Sequence, residues 1–231
     1  MRKSAIFLLF VAFCLTILGL SAQGGIAVPP QTARPKTEAE GKQKPEDSKQ
    51  RPVAKSKVYL LHSDLLRKDA THPDAQIVTG NVRFRHDSVY MYCDSACYYD
   101  KVSSFEAFGN VKMVQGDTLF LYGDRLYYDG LTQIAEMRCN VRMENRTTTL
   151  LTDSLNYDRV YNLGYFFDGG TLMDEQNVLT SEWGEYSPQT KQSVFNYNVK
   201  LVNPQFTLTS DTLRYNTASK VADIVGPSDI W

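Results

Sequence analysis

Acidic residues recur along this chain at a nearly constant spacing, and carboxylates are side chains that bind Ca²⁺ or transfer protons. Consecutive members of the set are 29 or 30 residues apart. None has a second acid directly beside it, so the pattern favours single carboxylates at structural corners over a metal site or a catalytic pair. The set comprises Asp64, Asp94, Asp124, Asp153, Glu182 and Asp211.

Other chemistry-bearing residues are sparse. The histidines His62, His72 and His86 lack metal-ligand spacing to one another or to a cysteine. The sequence contains no phosphate-binding loop, no Gly-x-Ser-x-Gly motif and no His-Glu-x-x-His motif. We therefore predict a protein that is not an enzyme and that uses neither a cofactor nor a metal.

Three cysteines follow the N-terminal leader, namely Cys93, Cys97 and Cys139. Cys93 and Cys97 are too far apart on one strand face to bridge each other unless the chain bulges. A bridge from either of them to Cys139 stays open, and a set of small buried thiols is the favoured interpretation.

The residues around each acid repeat with it, so the acids belong to a structural repeat of 29 or 30 residues. Apolar or small residues stand three and one positions before the acid and two and four positions after it. Because this pattern has period two on each side of the acid, we predict strands that bulge at the acid and turn both halves toward one apolar interior. The opposite corner is predicted at Asn81, Asn110, Asn140, Gly170 and Asn198.

Two all-β architectures satisfy this period. One is a repeat-built antiparallel β-jelly-roll of V-shaped strands, and the alternative is a parallel β-helix. Turn sequences such as Gln115-Gly116-Asp117 and Asp129-Gly130 favour the antiparallel arrangement.

Composition divides the chain into three parts. Residues 1–23 have a basic start and a long apolar run, as in a signal peptide. Residues 24–57 are rich in Pro, Lys and Glu and carry a net charge of +4, which is typical of a flexible linker. The β domain is predicted at 58–231 and carries a net charge of −7, which argues against nucleic-acid binding.

Several segments resemble the OstA-like repeat of the periplasmic LptA and LptC type of lipopolysaccharide-transport protein. The same repeat occurs in the N-terminal domain of the LptD translocon. The resemblance spans 58–231 and is carried by Gly80-Asn81-Val82, by Leu121-Tyr122-Gly123-Asp124 and by Leu208-Thr209-Ser210-Asp211. The fourth repeat departs from it, with Gly169-Gly170-Thr171 and Glu182 in place of the usual residues.

The resemblance implies a periplasmic bridge or carrier module of lipopolysaccharide transport, with an association with the outer membrane left open. Its expected partners are lipid A acyl chains, further OstA-like modules joined by edge strands, and transport components of the inner or outer membrane. The alternative is a structural β-solenoid that binds proteins and has a dry core. The expected lipid-binding residues are Phe84, Met91, Met113, Leu121, Met143, Leu150, Met173, Leu179, Leu201 and Leu208.

A tyrosine stands four residues after the acid in five successive repeats, from Tyr98 onward. These tyrosines either line the mouth of a groove with their hydroxyls in water or form ordinary cross-strand pairs. Near the C-terminus, 225–228 fall in the Asn position of a further repeat. Either the sequence is a fragment of a longer protein, or the last strand is expected to lie unpaired and to invite strand addition by a partner.

Overall fold

A computed structural model describes residues 56–68 and 73–231, and it places fifteen strands in one sheet. The predicted signal peptide, almost all of the predicted linker and His72 lie outside the described residues. The one helical element in the described part is a single 3₁₀ turn, Asp100–Val102. No helix there is long and apolar enough to cross a bilayer.

Every strand pairing is antiparallel, which confirms the antiparallel jelly-roll and excludes the parallel β-helix. Tight turns join most neighbours, so each repeat is one pair of strands. The strands are β1 Tyr59–His62, β2 Leu65–Lys68, β3 Gln76–His86, β4 Val89–Tyr99, β5 Ser104–Gln115, β6 Leu119–Asp129, β7 Ile134–Asn145, β8 Thr148–Asp158, β9 Leu163–Phe166, β10 Gly170–Asp174, β11 Asn177–Ser181, β12 Trp183–Tyr186, β13 Gln192–Asn203, β14 Phe206–Asn216 and β15 Val221–Ile230. They stack in chain order once β1 and β2, β9 and β10, and β11 and β12 are each taken as the two halves of one bent strand.

Each long strand bulges where its acid or its Asn lies. Between β4 and β5, for example, the pairing register shifts between Tyr92 and Ser95, on either side of Asp94. The bulge folds the sheet into two halves that face each other. We call the half that ends at the turns near residues 87, 116, 146, 175 and 204 arm A, and the half that ends near residues 101, 130, 160, 189 and 218 arm B.

The two arms share one apolar core. Phe84 of arm A stacks on Phe105 of arm B with ring centroids 4.1 Å apart, and it also contacts Tyr98 at 5.3 Å. Both phenylalanines are fully buried. The predicted interior common to both halves of each strand is therefore present, and in the described residues it is filled with side chains.

The corners hold the strands in their bent conformation. Gly109 and Asn110 both have positive φ, at 75° and 45°, a region that glycine and asparagine tolerate best. The Asn110 amide then donates to the carboxylate of Asp94 at 2.8 Å. The acids thus lie at corners as predicted, but in most repeats the partner is the Asn side chain 16 or 17 residues later, rather than freed backbone N–H groups.

In the fourth repeat, the predicted alignment of the corner is wrong by one residue. Gly169, with φ of 79°, occupies the corner that was assigned to Gly170. Phe166 explains the departure, because a Cβ on Gly170 or on Gly184 would lie 2.6 Å from its ring. Glycines at these positions make room for a phenylalanine that fills the interior.

Candidate functional site

The interior of the jelly-roll is the candidate site, and nine of the ten predicted lipid-binding residues line it with at most 3% of their surface exposed. Met173 is the exception. Since Gly169 holds the corner, Leu172 points inward with no exposed surface and Met173 lies on the opposite face. The nine are Phe84, Met91, Met113, Leu121, Met143, Leu150, Leu179, Leu201 and Leu208.

These nine residues belong to one continuous row. Each is directly paired with the next across neighbouring strands, with Leu172 filling the gap between Leu150 and Leu179. The row begins at Leu60 of β1 and ends at Ile230 of β15. At a strand spacing of about 4.8 Å, it runs for roughly 50 Å through arm A.

Side chains of the arm tips close the mouth between the arms, and we call this line of contacts the seam. At one point of the seam, Arg159 donates to the Tyr128 oxygen at 2.5 Å, and the Tyr128 hydroxyl lies 2.6 Å from Nδ1 of His86. His86 sits at the tip of arm A, whereas Tyr128 and Arg159 belong to arm B. The seam therefore joins the two arms directly.

The same arrangement recurs along the stack. Tyr215 donates to Asp174 at 2.5 Å and accepts from Asn177 at 2.8 Å, and Lys220 approaches Asp174 at 3.2 Å. Near the N-terminal end, Tyr98 donates to the carbonyl of Val58 at 2.7 Å. Tyrosines of arm B thus bond residues of the facing segment in at least three places.

The tyrosine column is buried in the seam, so its hydroxyls do not face water. Burial raises the pKa of Tyr128 and of Tyr157 to about 12. Burial also raises the pKa of Tyr98 and Tyr215, and hydrogen bonds to Asp100 and Asp174 raise it further. All four hydroxyls consequently keep their protons at neutral pH and act as donors.

His86 is a neutral acceptor in this arrangement. Its side chain is fully buried, and burial together with the nearby Arg159 guanidinium lowers its pKa below the ordinary 6.5. A neutral Nδ1 can accept from the Tyr128 hydroxyl, and the Arg159 guanidinium lies 3.0 Å from the same Nδ1. The sequence placed no role on His86, because the residues that bury it come from other repeats.

Comparisons with known proteins identify the family. Residues 55–211 match the family described as OstA-like protein. The chain belongs to the OstA-like family. No curated protein matches the sequence.

One solved structure similar to this OstA-like chain is LptH, the LptA homologous periplasmic component of the lipopolysaccharide transport device from Pseudomonas aeruginosa. The two chains are 11% identical, with a TM-score of 0.46. The similarity covers 49% of this chain and 93% of LptH. Membership in the OstA-like family, which comprises transport proteins, supports the prediction that the chain is not an enzyme.

The interior of the OstA-like domain opens at its C-terminal end. A cavity of about 600 Å³ lies there, within the range of roughly 300–1,000 Å³ that ligand sites occupy. Leu201, Leu208 and Ile230 line it as the last members of the apolar row, and Asp174 and Tyr215 form part of its rim. Ile230 is 61% exposed because no strand of the described chain follows β15.

Apart from His86 and Cys93, the histidines and cysteines in the described part of the chain lie outside the interior site. His62 lies 3.2 Å from Asp64 at the surface. Among the described residues, no group of three His, Cys, Asp or Glu side chains could hold a metal ion. Cys93 is a buried thiol whose pKa burial raises to about 12, but Cys139 is exposed, so the expectation of buried thiols is wrong for Cys139.

The sequence analysis missed the partners of the seam, although a weak signal for them exists. His86 precedes Tyr128 by 42 residues, Gln115 precedes Tyr157 by 42, and Asp174 precedes Tyr215 by 41. A polar residue 41 or 42 positions before three of the five tyrosines marks the seam, but the two residues meet only because the bend of the strands brings the two tips together.

Proposed function

We propose that this OstA-like domain is a periplasmic bridge or carrier module of lipopolysaccharide transport and holds lipid acyl chains in its interior. The observation that carries the proposal is the uninterrupted apolar row from Leu60 to Ile230, which ends in an open cavity. Membership in the OstA-like family supports it.

Lipid must displace side chains, because the interior is filled. Methionines suit this role, since their flexible thioether chains repack around different shapes. Four of them lie in the interior between β4 and β7, each at most 1% exposed: Met91, Met113, Met137 and Met143. We infer that an acyl chain enters at the C-terminal opening and advances as these side chains move aside.

The energetics permit such an exchange. Burial of each CH₂ group contributes about 0.8 kcal/mol, so a chain of about twelve carbons gains on the order of 10 kcal/mol before ordering costs. Each net hydrogen bond of the seam contributes only about 1 kcal/mol. Several seam contacts can therefore open for one acyl chain that enters.

Edge strands provide the means to join modules. β15 pairs only with β14 in the described chain, and it presents Ile224, Val225 and Ile230 with 38%, 43% and 61% of their surface exposed. An exposed apolar edge accepts a strand from another chain, while Pro227 within β15 limits unspecific pairing. We propose that other OstA-like modules or membrane-bound transport components add here, which extends the apolar row.

Two substitutions at β15 test the proposal. Ile230→Asp places a carboxylate in the C-terminal opening, whereas Val225→Asp places one on the outer face of the same strand. Both side chains are exposed, so neither change disturbs the core. We expect protein purified from the periplasm to carry lipopolysaccharide, detected as lipid A by mass spectrometry, and we expect the amount to fall several-fold only in Ile230→Asp.

A structural module with a dry core is the second candidate function, and the closed seam favours it. Under that function the wild-type domain carries no lipid A, and both variants behave alike. An empty wild-type protein from cells that make lipopolysaccharide would thus reject the carrier role and leave the structural one.

A further inference from the structure

A second concave site lies outside the interior, at the corner where β5 to β8 and β10 bend. This outer groove has a volume of about 820 Å³ and is separated from the apolar row by the sheet itself. It crosses five neighbouring strands, which corresponds to about 19 Å. Its lining is polar, so it has no part in the proposed transport of acyl chains.

One wall of the outer groove is cationic and aromatic. Lys112, Tyr122 and Arg142 are direct cross-strand neighbours on β5, β6 and β7. The Tyr122 ring lies between the two cations, with Lys112 at 5.5 Å and Arg142 at 4.4 Å from its centroid. The row continues to Tyr92 and Arg83 beyond the groove, so cations alternate with tyrosines over five strands.

Positive charge extends over the outer face of arm A around this wall. The outward positions of β3 to β7 there include Arg83, Arg85, Lys112 and Arg142, against one acid, Glu144. Glu144 lies 3.0 Å from Arg142. The strands between the corners and the turns therefore carry an excess of cations, whereas the groove itself holds Lys112 and Arg142 on one wall and Asp124, Asp153 and Asp168 on the other.

The other wall carries the corner acids, and one of them lacks its usual partner. Asn110, Asn140 and Asn198 each donate to the acid 16 residues earlier, at 2.5–2.8 Å. The residue 16 positions after Asp153 is Gly169, which has no side chain to donate, so Asp153 accepts instead from the backbone N–H of Asn140 at 3.0 Å. A Cβ built on Gly169 would meet no atom closer than 3.9 Å, so the absent amide leaves the groove open at this point.

This combination selects a class of ligand. Cations on one wall bind phosphate or carboxylate groups, and the carboxylates of Asp124 and Asp153 on the other accept hydrogen bonds from hydroxyls. Nucleic acid carries one charge per about 1.7 Å of duplex, and the corner acids would repel so dense a polyanion. A sugar chain with widely spaced anionic groups avoids that repulsion and supplies the hydroxyls.

We propose that the outer groove binds an oligosaccharide that carries phosphate or carboxylate groups. Lys112 and Arg142 contact the anionic groups, and Asp124 and Asp153 accept hydroxyls of the sugar rings. The ligand is either the sugar part of a phosphorylated glycolipid or a lipid-free acidic polysaccharide. Binding requires no acyl chain, so the proposal stands or falls separately from the transport function.

The test uses the whole exported protein and calorimetric titration with three probes. These are fully deacylated, phosphorylated lipopolysaccharide, the same oligosaccharide after phosphatase treatment, and polyuronate oligosaccharides. Tight binding of the first with weak binding of the second identifies a phosphorylated glycolipid sugar as the source. Preference for the polyuronate identifies an acidic polysaccharide instead.

Two variants test the walls separately. Gly169→Asn restores the amide found at the other corners, places it beside Asp153 and narrows the groove, so we expect weaker binding of every probe. The loss of thermal stability should be small, because asparagine tolerates positive φ better than other residues with side chains. Lys112→Gln with Arg142→Gln removes the cations, and we expect about a tenfold loss for the anionic probes, comparable to one charge-assisted hydrogen bond. Arg214→Gln on the outer face of arm B is the matched control and leaves binding unchanged.

Three outcomes would overturn the proposal. One is the absence of binding to all three probes by folded wild-type protein. Another is equal weakening by Arg214→Gln, which would indicate unspecific charge attraction. The third is tighter binding of single-stranded DNA or of anionic lipid vesicles than of any oligosaccharide, which would assign the face to a different partner.

Discussion

Removal of one hydroxyl from the seam tests whether the seam stabilises the fold. In the variant Tyr215→Phe, Asp174 loses the donor at 2.5 Å and Asn177 loses its acceptor at 2.8 Å. The Asp174 side chain has no exposed surface in the wild type, although it borders the C-terminal cavity. Lys220 at 3.2 Å and Asn177 at 3.2 Å remain as partners of the carboxylate.

The expected cost follows from those contacts. Leaving a buried polar group without a partner costs about 1–3 kcal/mol, and the remaining partners of Asp174 place the loss near 2 kcal/mol. For a domain of this size, each kcal/mol shifts the melting temperature by about 2–4 °C. Tyr215→Phe should therefore lower the melting temperature by about 4–8 °C. The measurement follows the β-sheet circular-dichroism signal during heating at neutral pH.

The neighbouring repeat provides a matched control. Tyr186 is equally buried, but its hydroxyl bonds no carboxylate, and its polar neighbours are the hydroxyls of Thr148 and Thr217. Tyr186→Phe should accordingly leave the melting temperature within about 2 °C of the wild type or raise it slightly. If both variants melt alike, the seam hydrogen bonds do not stabilise the domain and the reasoning is wrong.

Three further predictions concern the register, a buried histidine and a corner. Leu172→Ala should destabilise the fold by about 2–5 kcal/mol in urea unfolding and Met173→Ala by less than about 1 kcal/mol, because only Leu172 is in the core; the reverse order would restore the original alignment. Since burial lowers the pKa of His86 below 6.5, the unfolded chain takes up the proton first, and the free energy of unfolding falls as the pH drops below 6.5. His86→Gln should make this pH dependence weaker, and an unchanged pH dependence would show that His86 does not cause it. Gly109→Ala should lower the free energy of unfolding by about 1–3 kcal/mol more than Gly116→Ala, because a Cβ at Gly109 would lie 2.5 Å from the Asp94 carboxylate whereas Gly116 faces open space. Equal losses would show that the positive φ alone sets the cost.

Most of the fold was predictable because each repeat contains local sequence signals for its strands and bends. Alternation of apolar residues identifies the inward face of a strand, and Asn with glycine at the corners identifies the bends, as at Gly109-Asn110. These signals give nine of the ten interior positions. The tenth failed because Gly169 and Gly170 stand side by side, and only the packing of Phe166 shows which of them is the corner.

The seam and the outer groove were not predictable in the same way. The contact between His86 and Tyr128 joins residues 42 positions apart, and its existence depends on how sharply each strand bends. The groove is open because Gly169 lacks the amide side chain that asparagine supplies at the same position of most other repeats. Sequence periodicity locates both features only after the distance between the arm tips is known.

The most direct test of the central claim uses two adjacent residues on β11. Leu179 lies in the apolar row with no exposed surface, and Val178 lies on the opposite face with 38% exposed, outside both the C-terminal cavity and the outer groove. A photo-reactive amino acid is placed at either position in cells that make lipopolysaccharide, and adducts are detected after irradiation with an antibody to lipopolysaccharide. The account predicts an adduct at Leu179 and none at Val178; an adduct only at Val178, or at neither position in folded protein, would contradict transport through the interior.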